Sequence, residues 1–279
     1  MFGRRIQKSK KSRRVDDQSQ KQAASLGVKF WTAMIIFSLT GQVAWVVENM
    51  YLNVFIYKMF HASASEISLM VGASSVAATL TTILIGALSD RIGKRKAFIC
   101  GGYLLWGISI LVFGFIRLDV ISQFTESVAE ACALGVWFVI ILDCIMTFFG
   151  SSANDAAFNA WITDCGDETN RGKIEGFNAM MPLVSILVVF GGFMGFHLDQ
   201  PRSWTIIYMI IGGVVLCIGI LGIFLIEEKS MGTKMVNISY WQTVSYSFRL
   251  SVIKKIHCCM QCLECMPYLA SPLIHICHI

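Results

Sequence analysis

Six stretches of this sequence stay apolar for long enough to cross a lipid bilayer, and no other feature restricts the possible folds so strongly. A spanning helix needs about 20 predominantly apolar residues. The stretches lie near Phe30–Tyr57, Ile67–Leu88, Ala97–Ile116, Ala131–Ala153, Ile174–His197 and Trp204–Ile226. In hydrocarbon every backbone N–H and C=O has to be satisfied within the protein, so each stretch is expected to be a helix. Strands of a membrane barrel alternate apolar and polar residues, and these stretches do not. Composition agrees: 55% of the 279 residues are hydrophobic and 15% are charged, whereas soluble domains carry about 25% charged residues. The expected fold class is all-α, a polytopic membrane protein built as a six-transmembrane-helix bundle.

The loops between the stretches carry an orientation signal. Residues 1–29 form a polar, basic tail with Arg4, Arg5, Lys8, Lys10, Lys11, Arg13 and Arg14 near its start. A secretory signal would place a short apolar run directly behind a few charges, and this tail does not. Next to a spanning helix, such a tail reads as a cytoplasmic topology determinant in contact with anionic lipid rather than as a nucleic-acid patch. Arg91, Lys94, Arg95 and Lys96 fall between the second and third stretches, and Lys229 and Lys234 follow the sixth. The loop between the third and fourth holds Asp119, Glu126 and Glu130 against Arg117. The expectation is a multi-pass protein of the cell membrane with a cytoplasmic N-terminus, with the lipid bilayer as its partner and no nucleic acid.

The second stretch ends in Gly86-Ala87-Leu88-Ser89-Asp90-Arg91-Ile92-Gly93-Lys94-Arg95-Lys96. This run resembles the signature loop of the major facilitator superfamily, Gly-x-Leu-Ser/Ala-Asp-Arg-x-Gly-Arg/Lys-Arg/Lys, at every signature position. It also sits where that family has the loop, between spans two and three. Gly86 is expected to permit close helix approach. Asp90 lies at a helix C-terminus, where the dipole disfavours an anion, and so needs donors or cations nearby. Gly93 allows a tight reversal, and Arg91, Lys94 and Arg95 hold the loop on the cytoplasmic side. The resemblance implies a conformational gating role for Gly86, Asp90, Arg91, Gly93, Lys94 and Arg95. It further implies that the chain is the N-terminal half of a twelve-helix carrier.

A second run, Phe158-Asn159-Ala160-Trp161-Ile162-Thr163-Asp164 followed by Arg171-Gly172, comes after the fourth stretch. It is similar to the loop after span four in the glycoside–cation symporter and sucrose carrier branches. Two features depart from those branches. Ser74 to Leu88 contains no acidic residue, so the sodium-site aspartates of melibiose-type symporters have no counterpart, and the fifth stretch has no arginine.

An ionisable residue at membrane depth costs several kcal/mol and is a functional hypothesis by default. Glu48 in the first stretch and Asp143 in the fourth are such residues. Gln42, Trp45, Asn49 and Asn53 recur at steps of three and four, which puts them on one helical face flanked by Glu48. The resemblance implies a central cavity lined by the first and fourth helices. Trp45, Glu48, Asn49, Asn53 and Asp143 are therefore the candidates for binding substrate or proton. Packing between helices is the competing role for each of them. Trp45 and Trp137 are suited to stacking on a sugar or aromatic solute, or to filling a helix interface. Pro182, with Gly191, Gly192 and Gly195 beyond it, allows bending. No nucleophile elbow, phosphate loop or HExxH run is present in the sequence, so neither an enzyme nor a cofactor or metal site is expected.

Residues 30–226 thus form the bundle and 227–256 a cytoplasmic linker. The remainder, 257–279, is a Cys/His-rich tail with Cys258, Cys259, Cys262, Cys265, Cys277, His257, His275 and His278. Cys259-x-x-Cys262-x-x-Cys265 has spacing compatible with zinc or an iron–sulfur cluster. A zinc module, however, presents two separated ligand pairs. The expected reading is a frameshifted or prematurely ended frame. Taken together, the expected function is secondary active transport of a small solute, a sugar or related organic compound, with H+ as coupling ion and in truncated form. The missing C-terminal half or a homodimer would complete the carrier. The alternative is a non-transporting fragment or scaffold in the membrane.

Overall fold

The computed structural model describes residues 26–166 and 170–227. The basic tail before residue 26, the linker beyond Glu227 and the Cys/His-rich segment, with the expectations attached to them, lie outside the described residues. Six helices are long and apolar enough to span a membrane: α1 (Val28–Phe60), α2 (Ala64–Ile92), α3 (Arg95–Phe113), α4 (Val128–Cys165), α5 (Arg171–Phe193) and α6 (Pro201–Leu225). No strand occurs among the described residues. The protein is a multi-pass, all-α membrane bundle.

Local sequence explains most of the helix ends. α1 stops where His61 takes a left-handed conformation (φ 53°). Ser63 then opens α2 with a capping box, accepting from the Glu66 amide while the Glu66 carboxylate accepts from the Ser63 amide, which satisfies two otherwise orphaned donors. Gly93, at φ 68°, closes α2 with its N–H donated to the Ser89 carbonyl, so the expected reversal occurs there. Pro201 starts α6, where its missing N–H is no loss.

One boundary differs from the sequence reading. α4 does not end at Ala153 but continues to Cys165, so the run from Phe158 to Asp164 is helix rather than loop. The residues of Ser151–Phe158 run on past the apolar stretch that ends at Ala153. They form a wide π-type stretch whose side chains are almost all buried. A second wide stretch, Val47–Leu52, interrupts α1 and contains Glu48. Such stretches often accompany functional sites.

Helix contacts rest on small residues. A Cβ built at Gly107 of α3 would lie 2.7 Å from the Leu216 amide nitrogen of α6, and one at Gly212 of α6 would lie 2.9 Å from the Leu111 amide nitrogen of α3. The two backbones therefore meet almost directly, which is how membrane helices gain packing without a hydrophobic driving force between them. α1 meets α5 through Ser38 Oγ, which donates to Asn178 Oδ1 at 2.6 Å. Gly86 behaves differently from the expectation. A Cβ there would meet nothing within 4 Å, so no close approach is made at this position among the described residues.

α2 and α5 are the least covered helices. Only 11% and 22% of their most apolar stretches are buried, against 56% for α1 and 50% for α3. Most buried polar residues among those described accordingly lie on α1, α3, α4 and α6, with Thr81 and Ser89 on α2 and Ser185 on α5 as the others.

Candidate functional site

The first cluster lies between α1 and α4. Glu48 is 9% exposed and Asp143 only 2%. Thr147, one turn beyond Asp143 on the same face, donates its hydroxyl to Glu48 Oε1 at 2.8 Å. The charge of Asp143 acts on Glu48, and among the described residues neither acid forms an ion pair with a lysine or arginine. Three buried atoms here make no hydrogen bond among the described residues: Glu48 Oε2, Asp143 Oδ1 and the Tyr208 hydroxyl of α6. Tyr208 lies within electrostatic reach of both acids. Ser74 of α2 neighbours Asp143, although its hydroxyl donates to the Val71 carbonyl. Buried polar atoms are normally satisfied, and two carboxylates without a cation are costly at membrane depth. The cluster is therefore equipped to take up a small cationic species. It lies inside the bundle rather than on an open face: Glu48 belongs to the wide stretch Val47–Leu52, in which Val47, Glu48, Tyr51 and Leu52 are buried.

The remaining candidates on α1 separate from Glu48. Asn49 is exposed and Asn53 half-buried. Asn49 Nδ2 donates to the Trp45 carbonyl at 2.8 Å, and Asn53 Nδ2 to the Asn49 carbonyl at 2.7 Å. Both side chains thus serve the irregular backbone of their own helix. Gln42 and Trp45 are half-buried. Trp45 packs on Trp106 with ring centroids 5.2 Å apart, and its indole lies beside the carboxylate of Asp155.

Asp155 is the residue the sequence reading missed. It lies two residues beyond the fourth apolar stretch, which ends at Ala153; the continuation of α4 brings Asp155 inside the bundle as well. Asn154 Nδ2 donates to Asp155 Oδ1 at 3.2 Å, and the Tyr103 hydroxyl is placed 2.9 Å from the Phe37 carbonyl and 3.0 Å from Asn154 Oδ1. Asp155 also acts electrostatically on Glu48. A second polar network thus adjoins the first. No sequence signal pointed to Tyr208 or Tyr103. Thr147 was detectable from its spacing to Asp143.

The signature run forms an ionic knot at one end of the bundle. Arg95 Nη1 approaches Asp90 Oδ1 at 2.7 Å and donates to Ser89 Oγ at 3.0 Å, while its Nε donates to Asp164 Oδ2. One guanidinium therefore joins the end of α2, the start of α3 and the end of α4. Asp90 obtains the cation that its place at a helix C-terminus requires. Arg91 and Lys94 are exposed. Among the described residues, no group of His, Cys, Asp and Glu is arranged to hold a metal ion.

Residues 30–242 match the Major Facilitator Superfamily. The chain is 24% identical over 175 residues to the uncharacterized MFS-type transporter YqjV of Bacillus subtilis, covering 63% of this chain and 37% of that protein. It is 21% identical over 178 residues to sugar efflux transporter B of Salmonella typhimurium, covering 64% of this chain and 41% of that protein. The chain thus spans about two fifths of the length of these relatives. No solved structure matches it significantly.

Proposed function

The chain belongs to the major facilitator superfamily, and we propose that its bundle is the N-terminal half of a secondary carrier that moves a small organic solute by alternating access, coupled to protons. The observation that carries this reading is the buried Glu48–Thr147–Asp143 cluster, with orphaned oxygens on both acids. Such a group at membrane depth is retained at a cost, and protons or cations in transit are the usual reason. A sugar or related compound is the proposed solute. The supports are the similarity of the Phe158–Asp164 run to sugar-carrying branches and the sugar efflux named for one relative. Trp45, Asn49 and Asn53 are the proposed solute contacts on α1. The basic loop at Arg91–Lys96 supports a cell-membrane orientation with the N-terminus cytoplasmic. Rocking of the bundle around a midplane site would supply alternating access, with the Arg95 knot as its latch.

The test is uptake by the completed carrier, with its second half present, in proteoliposomes under an imposed pH gradient, with a panel of radiolabelled mono- and disaccharides. Asp143→Asn should abolish uphill accumulation while sparing solute exchange. Unchanged pH-driven accumulation in that variant would sink the coupling role. A second reading, a non-transporting scaffold, is favoured by the open faces of α2 and α5, which are available to partner helices. Absence of saturable uptake together with stable capture of another membrane protein would establish it.

A further inference from the structure

At the end of the bundle opposite the signature loop, an open-mouthed cavity of about 530 Å³ lies between the last residues of α1 and α3 and the first residues of α4 and α6. Small-molecule sites commonly enclose about 300–1,000 Å³, with largely apolar walls and a few placed polar groups. This cavity has that character. Phe55, Phe113 and Trp204 form its floor, and Lys58, His61, Arg117 and Asp119 stand at its rim. Phe55 and Trp204 meet edge to face with centroids 5.4 Å apart, and Phe55 also meets Tyr208 at 5.3 Å. The floor is thus a fixed aromatic layer, and the Glu48–Asp143 cluster lies beyond Tyr208 on its far side.

The rim favours an anion. Lys58 and Arg117 are its fixed cations and Asp119 its one carboxylate. Asp119 is held by Arg117 through Nε and Nη2, both at 2.9 Å, so Nη1 makes no hydrogen bond among the described residues. Lys58 pairs at 2.6 Å with Asp199, which is not in the lining and whose side chain is 84% exposed. A pair with so exposed a partner is weakly held, and two Lys58 donors remain. α6 begins at the cavity with no side chain capping its first turn, so the positive end of its dipole also faces this region.

We propose that this cavity binds an amphiphilic organic anion, with its phosphate or carboxylate head at Lys58 and Arg117 and a short apolar body against Phe55, Phe113 and Trp204. The head chemistry is shared by an anionic phospholipid and by a soluble organic acid. The site is separate from the acid cluster and does not depend on the transport reading.

The purified chain in phosphatidylcholine nanodiscs is titrated calorimetrically with hexyl phosphate, hexanol and inorganic phosphate. Hexyl phosphate should bind saturably and roughly tenfold tighter than either fragment, since charge-assisted head contacts and apolar contacts act together. Lys58→Gln combined with Arg117→Gln should weaken it by roughly tenfold, while Lys58→Arg retains binding. In phosphatidylglycerol nanodiscs, loss of hexyl phosphate binding assigns the site to a lipid; retention in both lipids assigns it to a soluble anion. Equal binding of hexyl phosphate and hexanol overturns the proposal, and so does a double variant that folds and still binds fully. If the double variant does not fold, the ligand comparison on the unaltered chain decides by itself.

Discussion

Among the described residues, Thr147 supplies the one hydrogen bond made by the Glu48 carboxylate. Replacing it by valine keeps the shape and leaves a buried acceptor unsatisfied. Thr147→Val should cost about 1–3 kcal/mol of stability, the penalty for such an orphaned group. Thermal unfolding in detergent measures it. The Glu48→Gln, Thr147→Val pair should be less than additive, because the two residues share one interaction. Glycine gives a second test at this scale. Gly107→Ala forces a methyl against the Leu216 backbone, whereas Gly213→Ala, on α6, meets nothing within 4 Å. The first should destabilise by about 1–3 kcal/mol, as overpacking does, and the second should leave the melting temperature nearly unchanged. Equal melting temperatures for the two variants would contradict the α3–α6 contact.

Between elements, two ionic links tie helix ends together. Arg95 joins α2, α3 and α4 through Asp90 and Asp164, with its own side chain 16% exposed and those of Asp90 and Asp164 57% and 23% exposed. Arg95→Ala should cost about 1–2 kcal/mol, between the ranges for exposed and buried pairs. Asp90→Ala should slow turnover in a transport-competent carrier while leaving solute binding largely intact, because the knot is at the bundle end, away from Glu48 and Asp143. A selective loss of binding would count against the latch. At the start of α1, Lys29 pairs with Glu227, whose carbonyl also accepts from Trp161 Nε1 at 3.3 Å. The hydrogen bond from Lys29 and its charge hold the Glu227 carboxyl below its ordinary value of 4.5. The link is therefore complete above pH 4.5 and is lost as pH falls through the lowered value. Spin labels at the start of α1 and the end of α6 should report looser spacing in acid, and Glu227→Gln should remove that pH dependence.

For the whole molecule, the charge pattern predicts the topology. Reporter fusions after Lys96 should read cytoplasmic and one after Asp119 external, because basic residues are retained on the inner side. The reverse pattern would overturn the orientation. The molecule also has a division of roles visible in its burial: α3 and α6 make the tight inner contact, while α2 and α5 leave broad faces open. An open apolar face is stable against lipid chains, so nitroxide labels placed at Leu183 and Leu187 of α5, which are 68% and 74% exposed, should be relaxed strongly by membrane-dissolved oxygen. Labels at Ile207 and Val215, at most 1% exposed, should not.

The number of spans, their helical nature and the family of the chain could all be read from the sequence, because length and hydrophobicity alone decide what a bilayer accepts. The signature run was equally readable, since its identity lies in consecutive residues. Contacts across helices were not, because side chains far apart in sequence meet only after packing. Arg95 reaches Asp164 across a separation of 69 residues, and Glu48 reaches Thr147 across 99. The fourth apolar stretch ends at Ala153 in the sequence, and only the tertiary structure carries the helix on through Asn154–Phe158 and draws Asp155 inward. A polar stretch can remain in a membrane helix when neighbouring helices satisfy it, and a single chain read in order contains no record of those neighbours.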